Sequence, residues 1–197
     1  MNFYGRFSRA AKNMARKIEA TSFKEMAWKN GGGKTRELFA IPHPEKMGAF
    51  LFRLSAAQVE SDGPFSFFPD IDRALLLLGG DGFILKLTGD NRREIRLDEK
   101  LSPIYFAGEE KIECKLINGI CQDFNVMIDR NYGKVMIEII QEVAPTLSLV
   151  SDGKLFIVEV DKSRILCLHL LDEKEHFIVL GPRSRERTLI KIELFVN

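Results

Sequence analysis

From Thr21 onward the chain alternates apolar and polar residues with the two-residue period of strands, and no 15-residue stretch carries a helical period. "TRELFAI" (35–41) reads as a strand, followed by the Pro42/Pro44 turn. In "AFLFRLSAAQV" (49–59), Phe50, Phe52 and Leu54 face away from Leu51, Arg53 and Ser55. "SDGP" breaks the chain at 61–64. "ALLLL" (74–78) and "FILKL" (83–87) flank Gly79-Gly80-Asp81-Gly82 and predict a hairpin. "REIRL", "PIYFAG" and "IECKLI" are further short strands. Asn118-Gly119, before "ICQDFNVMI" (120–128), is the strongest hairpin signal in the chain.

The pattern restarts after a seam at "DRNYG" (129–133). "KVMIEII", "LSLVS", "KLFIVEV", "RILCLHLL", "HFIVL" and "TLIKIELFV" follow, with turns at Asp152-Gly153 and Gly181-Pro182. Strands recurring every 8 to 12 residues predict an all-β protein of two stacked antiparallel barrel or sandwich units. The expected divisions are a basic N-terminal extension over 1–20, a first unit over 21–129 and a second over 130–197. "FILKL" and "HFIVL" read as apolar on both faces, hence covered on both sides. Such faces also make a homodimer an expected way of covering them.

Composition narrows the functional classes. The 197 residues carry a net charge of +1, which gives no drive toward nucleic acid or membrane. No apolar run reaches the roughly 18 residues of a membrane span. Cys114, Cys121 and Cys167 show no CxxC spacing and suit a reducing compartment, so a cytoplasmic protein is expected. Residues 1–17 hold Arg6, Arg9, Lys12, Arg16 and Lys17 and no acid. A transit peptide can begin this way, but a short appendage contributing little to the fold is the expectation.

The stretch "WKNGGGKT" (28–35) ends as a phosphate loop ends, yet the glycine such a loop needs five residues before its last one is replaced by Trp28. A strand follows where a helix should hold the phosphate. The triple glycine instead implies close backbone approach, to a neighbouring strand or to an anion.

"WKNGGGKTRE", "FRLSAAQVESDGPFSFFPDIDRALLLLGGDGF", "YFAGEE" and "CQDFNVM" together resemble the HutD/Ves family, in collinear order from about Phe23 to Asp129. The resemblance implies a bicupin fold and a place beside histidine utilisation. Aligned on cupin logic at Gly80, the metal-binding glutamate position falls on Arg73, two histidine positions near Phe67 and Pro69, and the third near Lys111. No stoichiometric metal and no cofactor are therefore expected; His43, His169 and His176 show no ligand spacing among themselves.

An arginine in place of a metal-binding carboxylate points to an anion, because guanidinium matches carboxylate in shape and charge. The expected binding residues are Trp28, Asn30, Gly32, Thr35, Glu37, Arg53, Ser66, Asp72, Arg73 and Asn125. Each has a bland counterpart: Arg73 as a structural partner of Asp72 or Glu37, Trp28 as a core plug, Ser66 as a turn residue. The resemblance implies urocanate or an N-substituted glutamate as the carboxylate. The first reading is thus a non-catalytic, small-carboxylate-binding protein. The alternative is a metal-independent enzyme using Glu37 and Asp72 as acid and base, although no nucleophile has a histidine beside it in these motifs. A third is an assembly module without a ligand.

Overall fold

The computed structural model describes residues 16–89, 92–141, 146–171, 175–179 and 187–197. Among these residues seventeen strands appear in chain order: β1 (Arg16–Glu19), β2 (Lys24–Ala27), β3 (Gly33–Pro42), β4 (Phe50–Val59), β5 (Gly63–Pro64), β6 (Ile71–Gly79), β7 (Phe83–Leu87), β8 (Arg93–Leu97), β9 (Ile104–Ala107), β10 (Ile112–Leu116), β11 (Cys121–Asp129), β12 (Gly133–Ile140), β13 (Thr146–Val150), β14 (Lys154–Asp161), β15 (Arg164–Leu171), β16 (Glu175–Val179) and β17 (Arg187–Val196). No α-helix occurs among the described residues, so none is long and apolar enough to cross a membrane. The all-β expectation holds. Of residues 1–17, the first fifteen lie outside the described part, as do the Gly181-Pro182 turn and the side chains of "HFIV".

The chain divides into two compact units. Residues 23–133 form a six-stranded sheet, ordered β2-β3-β4-β11-β6-β9, and a four-stranded sheet, ordered β5-β10-β7-β8. One apolar cluster draws on both sheets: Ala57, Leu75, Leu77 and Phe106 from the first, Phe83, Leu85, Leu87, Leu97 and Cys114 from the second. "FILKL" differs from expectation here. Phe83, Leu85 and Leu87 are buried while Lys86 is exposed, so it alternates as a strand covered on one face.

Both predicted hairpins are corners instead. β6 lies in the six-stranded sheet and β7 in the other; β10 and β11 are separated in the same way. Gly82 has φ +104°, and a Cβ there would strike the Leu97 carbonyl. The Cys121 thiol binds this turn, accepting from Gly82 N at 3.2 Å and donating to Gly82 O at 3.3 Å. Asn118 Nδ2 donates to Asp81 Oδ2 at 2.8 Å, tying the second corner to the first. Glycines with positive φ serve a corner as well as a hairpin, so local sequence does not reveal which sheet the next strand joins.

The other unit combines residues 16–22 with 134–197. Its main sheet has the order β1-β15-β14-β17-β12, beside the β13–β16 pair. Leu149, Leu155, Ile157, Leu171 and Leu189 form a buried cluster with Ile140 against it. Residues 16–19, expected as part of an appendage, are an edge strand here: Arg16 pairs with Leu170, Lys17 with His169, Ile18 with Leu168 and Glu19 with Cys167. Alternation in "RKIE" is too short to signal a strand, and only the partner reveals it.

A chain beginning at Phe23 should therefore melt several degrees below one beginning at Arg16, because it loses the four-residue edge pairing. Equal melting points in a thermal scan would show that β1 adds no stability.

Candidate functional site

Strand alternation puts residues 53, 55 and 57 of β4, 123, 125 and 127 of β11, and 73, 75 and 77 of β6 on one face of the six-stranded sheet. Register then stacks them in rows. One row reads Arg53, Met127, Arg73, Phe106; the next reads Glu37, Ser55, Asn125, Leu75; the third reads Thr35, Ala57, Asp123, Leu77. The second and third rows pass from polar at the β3 side to apolar at the β6 side, whereas the first carries the charge of Arg73 on β6 itself. The polar part lines a cavity of about 450 Å³, whose wall includes Trp28, Thr35, Arg53, Arg73, Asp123 and Asn125.

Arg73 dominates this wall. It is only 6% exposed, and its guanidinium lies 4.9 Å from the Phe106 ring centroid, 5.3 Å from Phe65 and 5.6 Å from Phe68. These ring faces stabilise a cation that has lost its water. Its Nη2 donates to Asn125 Oδ1 at 2.6 Å and Nη1 to the Ser66 carbonyl at 3.4 Å, while Nε is buried without a partner among the described residues. Burial drags the guanidinium down to about 10, opposed by the charge of Asp123. Asn125 Nδ2 in turn donates to Asp123 Oδ1 at 2.7 Å. Burial raises the Asp123 carboxyl to about 7, against the pull of Arg73 and its hydrogen bonds. The chain Arg73–Asn125–Asp123 thus joins cation to acid through a neutral amide.

Seven of the ten expected binding residues line the cavity: Trp28, Asn30, Thr35, Arg53, Ser66, Arg73 and Asn125. Trp28 is both wall and plug, since it packs on the core cluster and its Nε1 donates to Thr35 Oγ1 at 2.8 Å. Three do not line it. Glu37, in the Ser55 row, is outside the wall and accepts from Arg53 Nε at 2.9 Å. Gly32 lies outside the wall, and its amide is used by Asn30 Oδ1 at 3.1 Å. Asp72, next to Arg73 in sequence, occupies the opposite face and is exposed, paired with Arg130 at 2.8 Å.

The bland pairing of Arg73 with Asp72 or Glu37 is therefore replaced by Asn125, and the Glu37/Asp72 acid–base pair is not assembled. Phe67, Pro69 and Lys111, aligned with cupin histidine positions, lie outside the wall, where Phe65 and Phe68 stand instead.

The triple glycine is explained by a strand. A Cβ on Gly33 would strike the Gln58 carbonyl of β4 and approach the Trp28 ring at 3.2 Å. The Gly31 amide closes the turn onto Trp28 O at 3.0 Å. Asp123, the acid in the wall, stands two residues before Asn125 in "DFN", and strand period alone places both on one face. Ser55 and Met127 follow from the same rule.

The sequence model of the HutD family matches residues 20–179. An uncharacterised 21.2 kDa protein in the hutC 3′ region of Pseudomonas putida is 36% identical over 110 residues, 56% of each chain. Protein Ves of Escherichia fergusonii is 32% identical over 113 residues, covering 57% of this chain and 56% of that one. The alignments thus span about half the length of these curated relatives.

Among solved structures, a conserved protein of unknown function from Pseudomonas aeruginosa PAO1 superposes with a TM-score of 0.74 at 22% identity, covering 91% of this chain and 98% of that one. HutD from Pseudomonas fluorescens SBW25 gives 0.68 at 22% identity, covering 93% and 99%. Hazelnut vicilin gives 0.54 at 8% identity, covering 90% and 85%. At these identities the likeness is one of fold, and the fold is cupin-like.

Asp123 sets a pH dependence whose sign follows from its raised pKa. The folded state holds this proton more tightly than the unfolded chain, so the stability it contributes is present below about 3.8 and is lost as pH rises through about 7. Asp123→Asn should accordingly raise the melting point by a few degrees at pH 8 and leave it nearly unchanged at pH 4. A loss of stability at pH 8 would mean that the ionised carboxylate is the favoured partner of Arg73.

Proposed function

The chain belongs to the HutD family, and from that premise we propose that it serves histidine utilisation as a non-catalytic protein binding a small carboxylate in the cavity of residues 23–133. The pathway rests on the family and on the hutC-region relative. The ligand class rests on Arg73. A buried guanidinium whose direct partners among the described residues are an amide oxygen and a carbonyl oxygen, with Nε unpartnered there, lacks an anionic acceptor in direct contact among them. A ligand carboxylate supplies one, and the aromatic frame already bears part of the cost of removing water from the cation. Arg53 adds a second positive charge to the same wall. Urocanate and N-substituted glutamates are carboxylates of a size compatible with such a cavity.

One observation favours a second reading, a metal-independent enzyme. Asp123 is an acid raised to about 7 in the cavity wall, the range suited to proton transfer at neutral pH. It takes the place of the Glu37/Asp72 pair in that reading. Incubation with each candidate carboxylate, followed by NMR, separates the two: an unchanged ligand spectrum supports binding, and product signals support catalysis.

Calorimetry with urocanate and an N-acyl glutamate tests the binding reading directly. Arg73→Ala should weaken the bound carboxylate by roughly thirtyfold or more, since truncating a buried charge contact typically costs about 2 to 5 kcal/mol. Arg73→Lys keeps the charge but not the planar fork, and should fall between. Asn125→Asp gives Arg73 a carboxylate of its own, so it should abolish anion binding; at pH 6, where Asp123 keeps its proton and can donate to the new carboxylate, the melting point should be retained. Affinity should also drop about tenfold from pH 6 to pH 8 as Asp123 ionises, and Asp123→Asn should flatten that profile. No binding of either carboxylate by the unaltered chain, or unchanged affinity in Arg73→Ala, overturns the reading.

A further inference from the structure

Three side chains in the unit formed by residues 16–22 and 134–197 remain outside any function described so far. Glu159 on β14 is the register partner of Cys167 on β15, and His169 lies two residues further along β15 on the same face. All three are buried, at 5%, 1% and 3% exposure. Their donor atoms converge: Cys167 Sγ lies 3.3 Å from Glu159 Oε2 and 3.3 Å from His169 Nε2, and His169 Nε2 lies 3.6 Å from Glu159 Oε2. Each contributes one ligand atom to a group no wider than 4.8 Å.

Those separations can be compared with what a metal requires. Zinc binds sulfur at about 2.3 Å and nitrogen or oxygen at about 2.0 to 2.2 Å. A tetrahedron built on these bonds has edges of about 3.3 to 3.6 Å, the spacing found among the three atoms. We propose that Glu159, Cys167 and His169 form a binding site for a single divalent transition metal of zinc type, with the fourth position open to water or a small ligand. The donor set of one sulfur, one nitrogen and one oxygen suits zinc and cobalt(II) and disfavours magnesium or calcium, which take oxygen alone.

Charge and support agree with this assignment. One thiolate and one carboxylate balance the dication. Arg187 Nε stands 2.8 Å from Glu159 Oε1, the oxygen turned away from Cys167; this ion pair lacks hydrogen-bond alignment and steadies the carboxylate by charge alone, leaving Oε2 available. Lys17, a further cation nearby, is engaged by Glu19 at 2.8 Å. Placement on two paired strands fixes the donors before any metal arrives, which lowers the ordering cost of binding.

Without metal the group is a hydrogen-bonded cluster. Burial raises the Cys167 thiol to about 12, helped by the charge of Glu159. Burial also works to raise Glu159, but hydrogen bonds from His169 and Cys167 and the charge of Arg187 outweigh it and hold its pKa below the ordinary value. Metal binding must therefore expel the thiol proton, and affinity should rise about tenfold per pH unit across the neutral range. The expectation of a metal-free protein came from Arg73, Phe67, Pro69 and Lys111, which lie in the other unit, and from the spacing of the histidines and cysteines along the chain, which does not show that β14 sets Glu159 beside Cys167 and His169.

The test uses the full chain, stripped with a chelator and titrated with cobalt(II), then zinc. One equivalent of cobalt should produce a near-ultraviolet thiolate-to-cobalt charge-transfer band, which zinc displaces, with release of one proton measured by calorimetry in two buffers. Cys167→Ala should abolish the band, His169→Ala should weaken the metal at least about a hundredfold, and Cys114→Ala, in the other unit, should change neither. If Cys167→Ala fails to fold, Cys167→Ser serves, because serine cannot produce a thiolate band. Absence of the band in the unaltered chain at one equivalent of cobalt, or its survival in a folded Cys167 variant, overturns the proposal and leaves a hydrogen-bonded cluster only.

Discussion

A guanidinium cannot be buried alone, and the site in residues 23–133 is arranged around that constraint. Arg73 is removed from water in the middle of a sheet, where an uncompensated charge would unfold a domain of ordinary stability. Three phenylalanine rings supply their faces, and Asn125 and the Ser66 carbonyl supply oxygens. Asp123 compensates at one remove, through the Asn125 amide. Direct contact with Asp123 would have neutralised the cation within the fold. The intervening amide leaves part of its hydrogen-bonding capacity unspent, and the proposed carboxylate ligand uses that remainder.

The same rows explain why neighbouring residues have unrelated roles. Arg73 and Asp72 are adjacent in sequence, yet one faces the cavity and the other faces solvent, where Arg130 holds it together with Glu109. Arg53 and Glu37 form their own pair at the cavity's polar side, keeping Glu37 from Arg73. Each cation thus has a distinct partner, set by register and not by sequence distance. A one-residue slip of β6 against β11 would exchange Asp72 for Arg73 and destroy the site, which makes the corners at Gly80–Gly82 and Asn118–Gly119 matter to chemistry as well as to folding.

The two proposed sites differ in how they treat buried charge. In residues 23–133 a cation is left partly unsatisfied, which favours an anionic ligand. Around Glu159, Cys167 and His169 the side chains satisfy one another until the thiol proton is exchanged for a metal. Cupin-like sheets provide both arrangements, because each strand presents alternate residues to a protected interior at fixed spacing.

Much of this was legible in the chain itself. Alternation in "FRLSAAQV" and "DFNVM" settled that the fold is all-β and that Arg53 shares a face with Ser55, and Asp123 with Asn125, because side-chain period is a local property of a strand. The "WKNGGGKT" to "CQDFNVM" series carried the family. Tertiary structure decided the rest. It alone chose Asn125 over Asp72 as the partner of Arg73, turned two glycine-rich hairpin signals into corners between sheets, and tied residues 16–19 to β15. It alone brought Glu159 to Cys167 and His169. Those outcomes depend on which strand lies beside which and in what register, and that is set by the fit of whole sheets over a shared core, a quantity no short stretch of sequence contains.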